Sequence, residues 1–196
     1  MKLKQEVVPT WDGDMDTVVR WIAKVNDLAR YGKTVRKQLG SIVPRRLQGA
    51  AETWYFSLPK TTRLHLETDW KHLRHKMIKY YMNRKWLENI RRKGRSAHYR
   101  ETGYARETPS KYFIQKVDLL NTGFNYDNSE LMMEVMEGAP PSWSTILTTQ
   151  AYDTAEELQD AIRYHETILM RLETEDTKTA ISRDYNQKRS TFTTIS

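Results

Sequence analysis

The side chains that could do chemistry are present in this 196-residue chain, but nothing in their order groups a nucleophile with a base and an orienting acid. There is no GxxxxGK phosphate loop, no GxGxxG opening a helix, no GxSxG and no HExxH. Asp12-Gly13 lacks the middle residue of an aspartic-protease triplet. His72 and His75, three apart, could face one side of a helix and share a metal. With no cysteine in the chain and no third ligand implied nearby, a basic surface is the better reading. His165 falls on an apolar stripe and reads as a core or boundary residue. We therefore expect no enzyme, no cofactor, no metal and no small-molecule substrate.

Charge is the stronger signal. The net charge is +7, yet residues 71–106 alone hold twelve Lys or Arg against Glu88 and Glu101, a net of +10. The remainder is thus slightly acidic. Lys71, Arg74, Lys76, Lys79, Arg84, Lys85, Arg91, Arg92, Lys93 and Arg95 are the candidate polyanion-binding residues. A solvated helical face accounts for them equally well. No zinc-finger, RRM or bZIP pattern accompanies them.

The aromatic residues read mainly as packing. Trp21, Trp54, Trp70 and Trp143 sit where helical periodicity places a core, although Trp21 and Trp54 could instead line a groove in an N-terminal lobe. Methionines give a further candidate. In Leu131-Met132-Met133-Glu134-Val135-Met136, residues 131, 132, 135 and 136 share an arc of about 140° at about 100° per residue. Met133 lies outside that arc and Met136 on its edge. Either this helix is buried almost all round, or Met133 and Met136 meet another copy of the chain.

The elements that must position these residues are helical. Glycine and proline are scarce, and hydrophobic (38%) and charged (29%) fractions suit a globular chain. The first residues carry no apolar signal run, and no stretch approaches the ~18 apolar residues of a membrane span. Val18, Ile22, Val25 and Ala29 predict a helix over 16–31, stopped at Gly32. A second helical region covers 34–58, interrupted near Pro44 and Gly49. Thr68 is the expected N-cap of a helix carrying Trp70, Leu73 and Met77. The apolar phase is lost near Asn83, and another helix follows over 84–99. Residues 98–108 read as a polar loop. Pro109-Ser110 opens a helix with Phe113, Val117 and Leu120 on one face, ending at Gly123. A short helix covers 129–137. Thr154-Ala155-Glu156-Glu157 is a capping box for a last helix reaching Leu172.

The order of these pieces resembles the capsid region of Gag proteins of Ty3-type long-terminal-repeat retrotransposons and their host-domesticated, Arc-like relatives. Trp11-Asp12-Gly13 followed by Val18-Val19-Arg20-Trp21-Ile22 is similar to the family's entry and first helix. Leu47-Gln48-Gly49-Ala50-Ala51-Glu52-Thr53-Trp54 and Trp70-Lys71-His72-Leu73 resemble its next motifs. Glu107-Thr108-Pro109-Ser110-Lys111-Tyr112-Phe113 occupies the place of the major homology region, without its typical glutamine and glutamate. The likeness continues through Gly138-Ala139-Pro140-Pro141-Ser142-Trp143 and covers about residues 11–172.

The resemblance implies an all-α fold of two small helical lobes: an N-terminal arm over 1–10, an N-lobe over 11–82, a C-lobe over 83–173 and a polar tail over 174–196. It implies a structural protein that self-assembles into oligomers or virus-like particles enclosing RNA, in the cytoplasm. The family's C-lobe dimer helix corresponds to the one bearing Met132, Met133 and Met136. The zinc knuckle usual in Gag is absent from these 196 residues. Two alternatives remain open: a monomeric nucleic-acid-binding module, and a domesticated peptide-binding adaptor.

Overall fold

A computed structural model describes residues 2–172. Among them the structure is helical, and the only extended pairing is one isolated parallel bridge between Trp11 and Leu47. The chain divides into two compact units, residues 1–87 and 88–196. The division falls a few residues beyond Asn83, inside a continuous helix. Trp86, at the start of that helix, packs with the first unit's core.

The first unit contains α1 (Val18–Ala29), α2 (Lys33–Ile42), α3 (Gly49–Ser57), α4 (Lys60–Leu66) and α5 (Trp70–Tyr81). A 3-10 turn over Val43–Arg46, with Pro44 in its first turn, separates α2 from α3 where the sequence predicts an interruption. α4 left no trace in the apolar pattern because Leu66 is its only buried residue. The N-cap of α5 is Asp69 rather than Thr68. Asp69 has extended backbone and its carboxylate accepts from Lys71 N at 2.9 Å, whereas Thr68 Oγ1 donates to the His65 carbonyl.

Three tryptophans from distant segments hold this core. Trp11 stacks on Trp21 at 5.3 Å, and Trp21 meets Trp70 edge-on at 6.0 Å. Each indole N–H also finds an acceptor, in the carbonyls of Asp14 and Pro9 and in Asn26 Oδ1 respectively. Within the expected arm, residues 2–10 are tied to this core. Leu3 and Val8 are buried in the core, Arg46 Nε donates to the Val8 carbonyl, and Leu3 N donates to Gln38 Oε1. Burying two such side chains contributes about 3–6 kcal/mol, enough to tie the segment down.

Tyr81 packs edge-on against Trp11, but its buried hydroxyl has no hydrogen-bond partner. Burial, and then the neighbouring Tyr80, push its pKa up from 10.0 to about 12. The folded value lies above the unfolded one, so this contribution to stability is complete below pH 10 and is lost as pH rises toward 12. Tyr81→Phe removes an unsatisfied group and should raise stability at pH 7 by about 1 kcal/mol. It should also flatten the alkaline loss between pH 10 and 12. Urea unfolding at pH 7 and pH 11 tests both; a less stable variant at pH 7 would mean that the hydroxyl is bonded.

The helix that crosses the division is α6 (Arg84–Ser96). The second unit continues with α7 (Pro109–Gly123), α8 (Asn128–Glu137), a 3-10 turn over Pro141–Thr145 and α9 (Ala155–Tyr164). Pro109 stands in the first turn of α7, with Thr108 as its N-cap. Full capping boxes start α8 (Asp127 with Glu130) and α9 (Thr154 with Glu157). Helical backbone resumes over 166–172 after a break at His165, so the expected single last helix is in two pieces. His165 is half-buried at the C-cap of α9. The expected tail over 174–196 lies outside the described residues.

Trp143 is the fully buried centre of the second core, 4.8 Å from Tyr99 and 6.1 Å from Tyr112 between ring centroids. The predicted loop over 98–108 is anchored at both ends: Tyr99 is buried, with its N–H on the Gly138 carbonyl, and Glu107 is buried and accepts from Arg100 N. Lys116 is 1% exposed. Its ammonium donates to the carbonyls of Arg95 (3.2 Å) and Ala97 (2.9 Å), satisfying the C-terminal end of α6. Burial holds its pKa below the ordinary lysine value.

Candidate assembly and polyanion surfaces

α8 presents its methionines in three different environments. Leu131, Met132 and Val135 point into the second core, and Met132 is 5% exposed. Met132 is therefore a core residue, which corrects its expected place at an interface. Met136 is half-buried and packs against the same core. Met133 alone of the three is exposed, at 63%. The exposed residues around it on the helix surface are Ser129, Glu130 and Glu137. A contact made through α8 thus has one apolar anchor flanked by two carboxylates. Other large apolar side chains of this unit reach solvent as well, among them Ile114 on α7 and Tyr164 at the end of α9. Sequence periodicity did not single these out, since an isolated exposed apolar residue is ordinary.

The basic segment is split by the division between units. Lys71, Arg74, Lys76, Lys79, Arg84 and Lys85 belong to the first unit, and Arg91, Arg92, Lys93 and Arg95 to the second. Several have structural tasks. Arg91 and Arg95 lay their guanidinium groups over Phe124 at 5.5 and 4.8 Å, and Arg91 Nε donates to the Gly123 carbonyl. These contacts fix the end of α7 onto α6. Arg74 donates to Asn26 Oδ1 at 2.9 Å. Lys71, Lys79, Arg84, Lys85, Arg91, Arg92, Lys93 and Arg95 are exposed.

No protein-family model, curated protein or solved structure matches this chain.

Trp21 and Trp54 do not form a common groove. Both are buried, Trp21 between Trp11 and Trp70, and Trp54 against Tyr80 and Tyr81. An edge of Trp21 borders a hollow of about 380 Å³ with Pro9, Thr10, Arg20 and Gln48, but Trp54 is not on its wall. Helical periodicity places both residues in the core, where they lie. The groove reading fails for the pair because they face different neighbours.

The histidines are rearranged as well. His72 stacks on His65 at 4.5 Å and meets Thr68 Oγ1 through Nδ1 at 3.0 Å, so its ring partner is not His75. Among the described residues, no three His, Cys, Asp or Glu side chains come together as metal ligands. No helix among them is long and apolar enough to cross a membrane.

Proposed function

We propose that this chain is a structural, Gag-like capsid protein, not an enzyme, that self-assembles into oligomers or virus-like particles enclosing RNA in the cytoplasm. In this reading the two units are the N- and C-lobes of a capsid protein. The observation that carries it is the ordered set of Gag-like motifs, considered with where their aromatic residues lie. Trp11, Trp21, Trp54 and Trp70 meet in one small core, and Tyr112, Phe113 and Trp143 in another. Two small cores with separate aromatic centres suit a protein whose work is repeated contact between copies, and the exposed Met133 offers an apolar anchor for one such contact.

The test is particle size, by light scattering and negative-stain microscopy, at low and high salt and with and without RNA. Large oligomers or shells are the expected result. A strict monomer in every condition would overturn the assembly reading. Met133→Asp is the matching variant. Because Met133 is exposed, the substitution should cost the fold within about 0.5 kcal/mol while shifting the protein to monomers or small oligomers. Met136 is unsuitable as a second site, since a carboxylate there would disturb the core it packs on. Unchanged particle size in Met133→Asp would remove α8 from the interface.

A second reading, a nucleic-acid-binding module without assembly, is favoured by the exposed Lys and Arg of α5 and α6. Tight RNA binding by a protein that stays monomeric would support it, and that binding should weaken steeply with salt.

A further inference from the structure

Four cationic side chains of the first unit, drawn from separate stretches of sequence, border one hollow of about 330 Å³. Arg30 comes from the end of α1, Arg36 from α2, and Lys71 and Arg74 from α5; Asn26, Ala29 and Trp70 complete the wall. Only Lys71 and Arg74 fall in the basic segment of the sequence. Arg30 and Arg36 lie more than thirty residues away and come to the same place because α2 packs against both α1 and α5.

The hollow is organised rather than merely charged. Arg36 Nε reaches both carboxylate oxygens of Asp69, at 2.9 and 3.0 Å. Asn26 Oδ1 accepts from Trp70 Nε1 and from Arg74 Nη1, each at 2.9 Å. Two donors on one atom identify it as the oxygen, which leaves the Asn26 amide group as a further donor on the wall. Arg30 pairs with Asp27 at 3.2 Å, but both side chains are largely exposed, so that pair exchanges readily with solvent or another anion. Asp27 and Asp69 oppose the four cations and leave an excess of two positive charges. Asp69 is already engaged by Arg36 and by the backbone of α5, so it offers little repulsion to an incoming anion.

We infer that this hollow binds phosphate-bearing anions. Guanidinium forks match phosphate oxygens, a lysine adds a mobile point charge, and the volume accommodates a short oligophosphate. One phosphate chemistry has two sources here, a free oligophosphate or the backbone of a single-stranded nucleic acid. The inference does not rest on the assembly reading: it concerns a surface within one unit, and particle size is a separate readout.

The experiment titrates the full chain with sodium tripolyphosphate by calorimetry. The paired variant is Arg30→Gln with Lys71→Gln, both exposed and neither bonded through its side chain to the core. The control pair is Lys37→Gln with Lys60→Gln, which removes the same charge from the same unit outside the hollow. The expected result is one saturable site, at least tenfold weaker in the first pair and within twofold of the parent in the control, with circular dichroism unchanged in both. Equal weakening in the two pairs, or no saturable binding by the parent, would overturn the inference. A short single-stranded RNA then separates the sources. Displacement of that RNA by tripolyphosphate, with both ligands lost in the first pair, assigns the hollow to backbone phosphates. Loss of tripolyphosphate alone assigns it to a free oligophosphate.

Discussion

Gly40→Ala should destabilise the first unit by about 2 kcal/mol or more, against the usual sign of this substitution in a helix. Within a helix, alanine normally gains about 1 kcal/mol over glycine. Gly40 lies inside α2, but a Cβ there would stand 2.7 Å from both Asp69 N and the Glu67 carbonyl oxygen. These are backbone atoms of the turn between α4 and α5, and no rotamer change moves them aside. Overpacking of this kind costs about 1–3 kcal/mol beyond the propensity gain it must cancel. The same close approach brings Arg36 to Asp69, so the variant should also weaken tripolyphosphate binding. Urea unfolding of parent and variant measures the first effect. A stabilised Gly40→Ala would show that α2 and this turn can part at no cost, and the account of their contact would fail.

For the second unit, Gly138→Ala should cost about 3 kcal/mol. Its backbone, at φ −85° and ψ −4°, suits alanine, so no conformational penalty arises. The obstacle is space. A Cβ would fall on the Tyr112 hydroxyl and lie 2.5 Å from the Ala97 carbonyl oxygen and 3.3 Å from Lys116 Nζ. Relief of that crowding would disturb Tyr112 Oη on the Val135 carbonyl, Lys116 on the end of α6, or Tyr99 N on the Gly138 carbonyl. Each is a buried or partly buried bond whose loss leaves a polar group unpaired, at about 1–3 kcal/mol. A double-mutant cycle with Tyr112→Phe gives the critical check. Removing the hydroxyl should lessen the cost of Gly138→Ala; strict additivity would place the strain elsewhere. Because Gly138 ends α8, the substitution should also disturb any contact made through Met133.

The local features were legible. The capping box at Thr154, proline at the start of α7 and the arc formed by Leu131, Met132 and Val135 all depend on residues within one or two turns. Periodicity and capping report such neighbours directly. α4 was missed because a seven-residue helix with one buried side chain has no stripe to read. The cap of α5 was misplaced by one residue because Thr68 and Asp69 are both good capping residues, and only backbone angles separate them.

The candidate sites were less legible for a different reason. Met132 and Met133 are adjacent and chemically identical, and their opposite fates follow from which side of α8 the second core covers. Lys116 looks like any surface lysine in the sequence; it is buried because the end of α6 comes to rest against α7 and needs donors. Arg91 and Arg95 are exposed, and their second task, lying over Phe124, has no signal along the chain. Nothing along the chain joins Arg30 and Arg36 to Lys71 and Arg74.

The sequence by itself determined that the chain is helical, where most helices begin and end, which aromatic residues lie inside, and that no familiar catalytic motif is present. Those properties follow from short-range sterics, hydrogen bonding and the 3.6-residue period. Only the tertiary structure decided which charged side chains are spent on packing and which remain on the surface. It also decided that four cations share one hollow and that Leu3 and Val8 belong to the first unit's core. These depend on contacts between segments tens of residues apart, whose geometry is set by how whole helices pack.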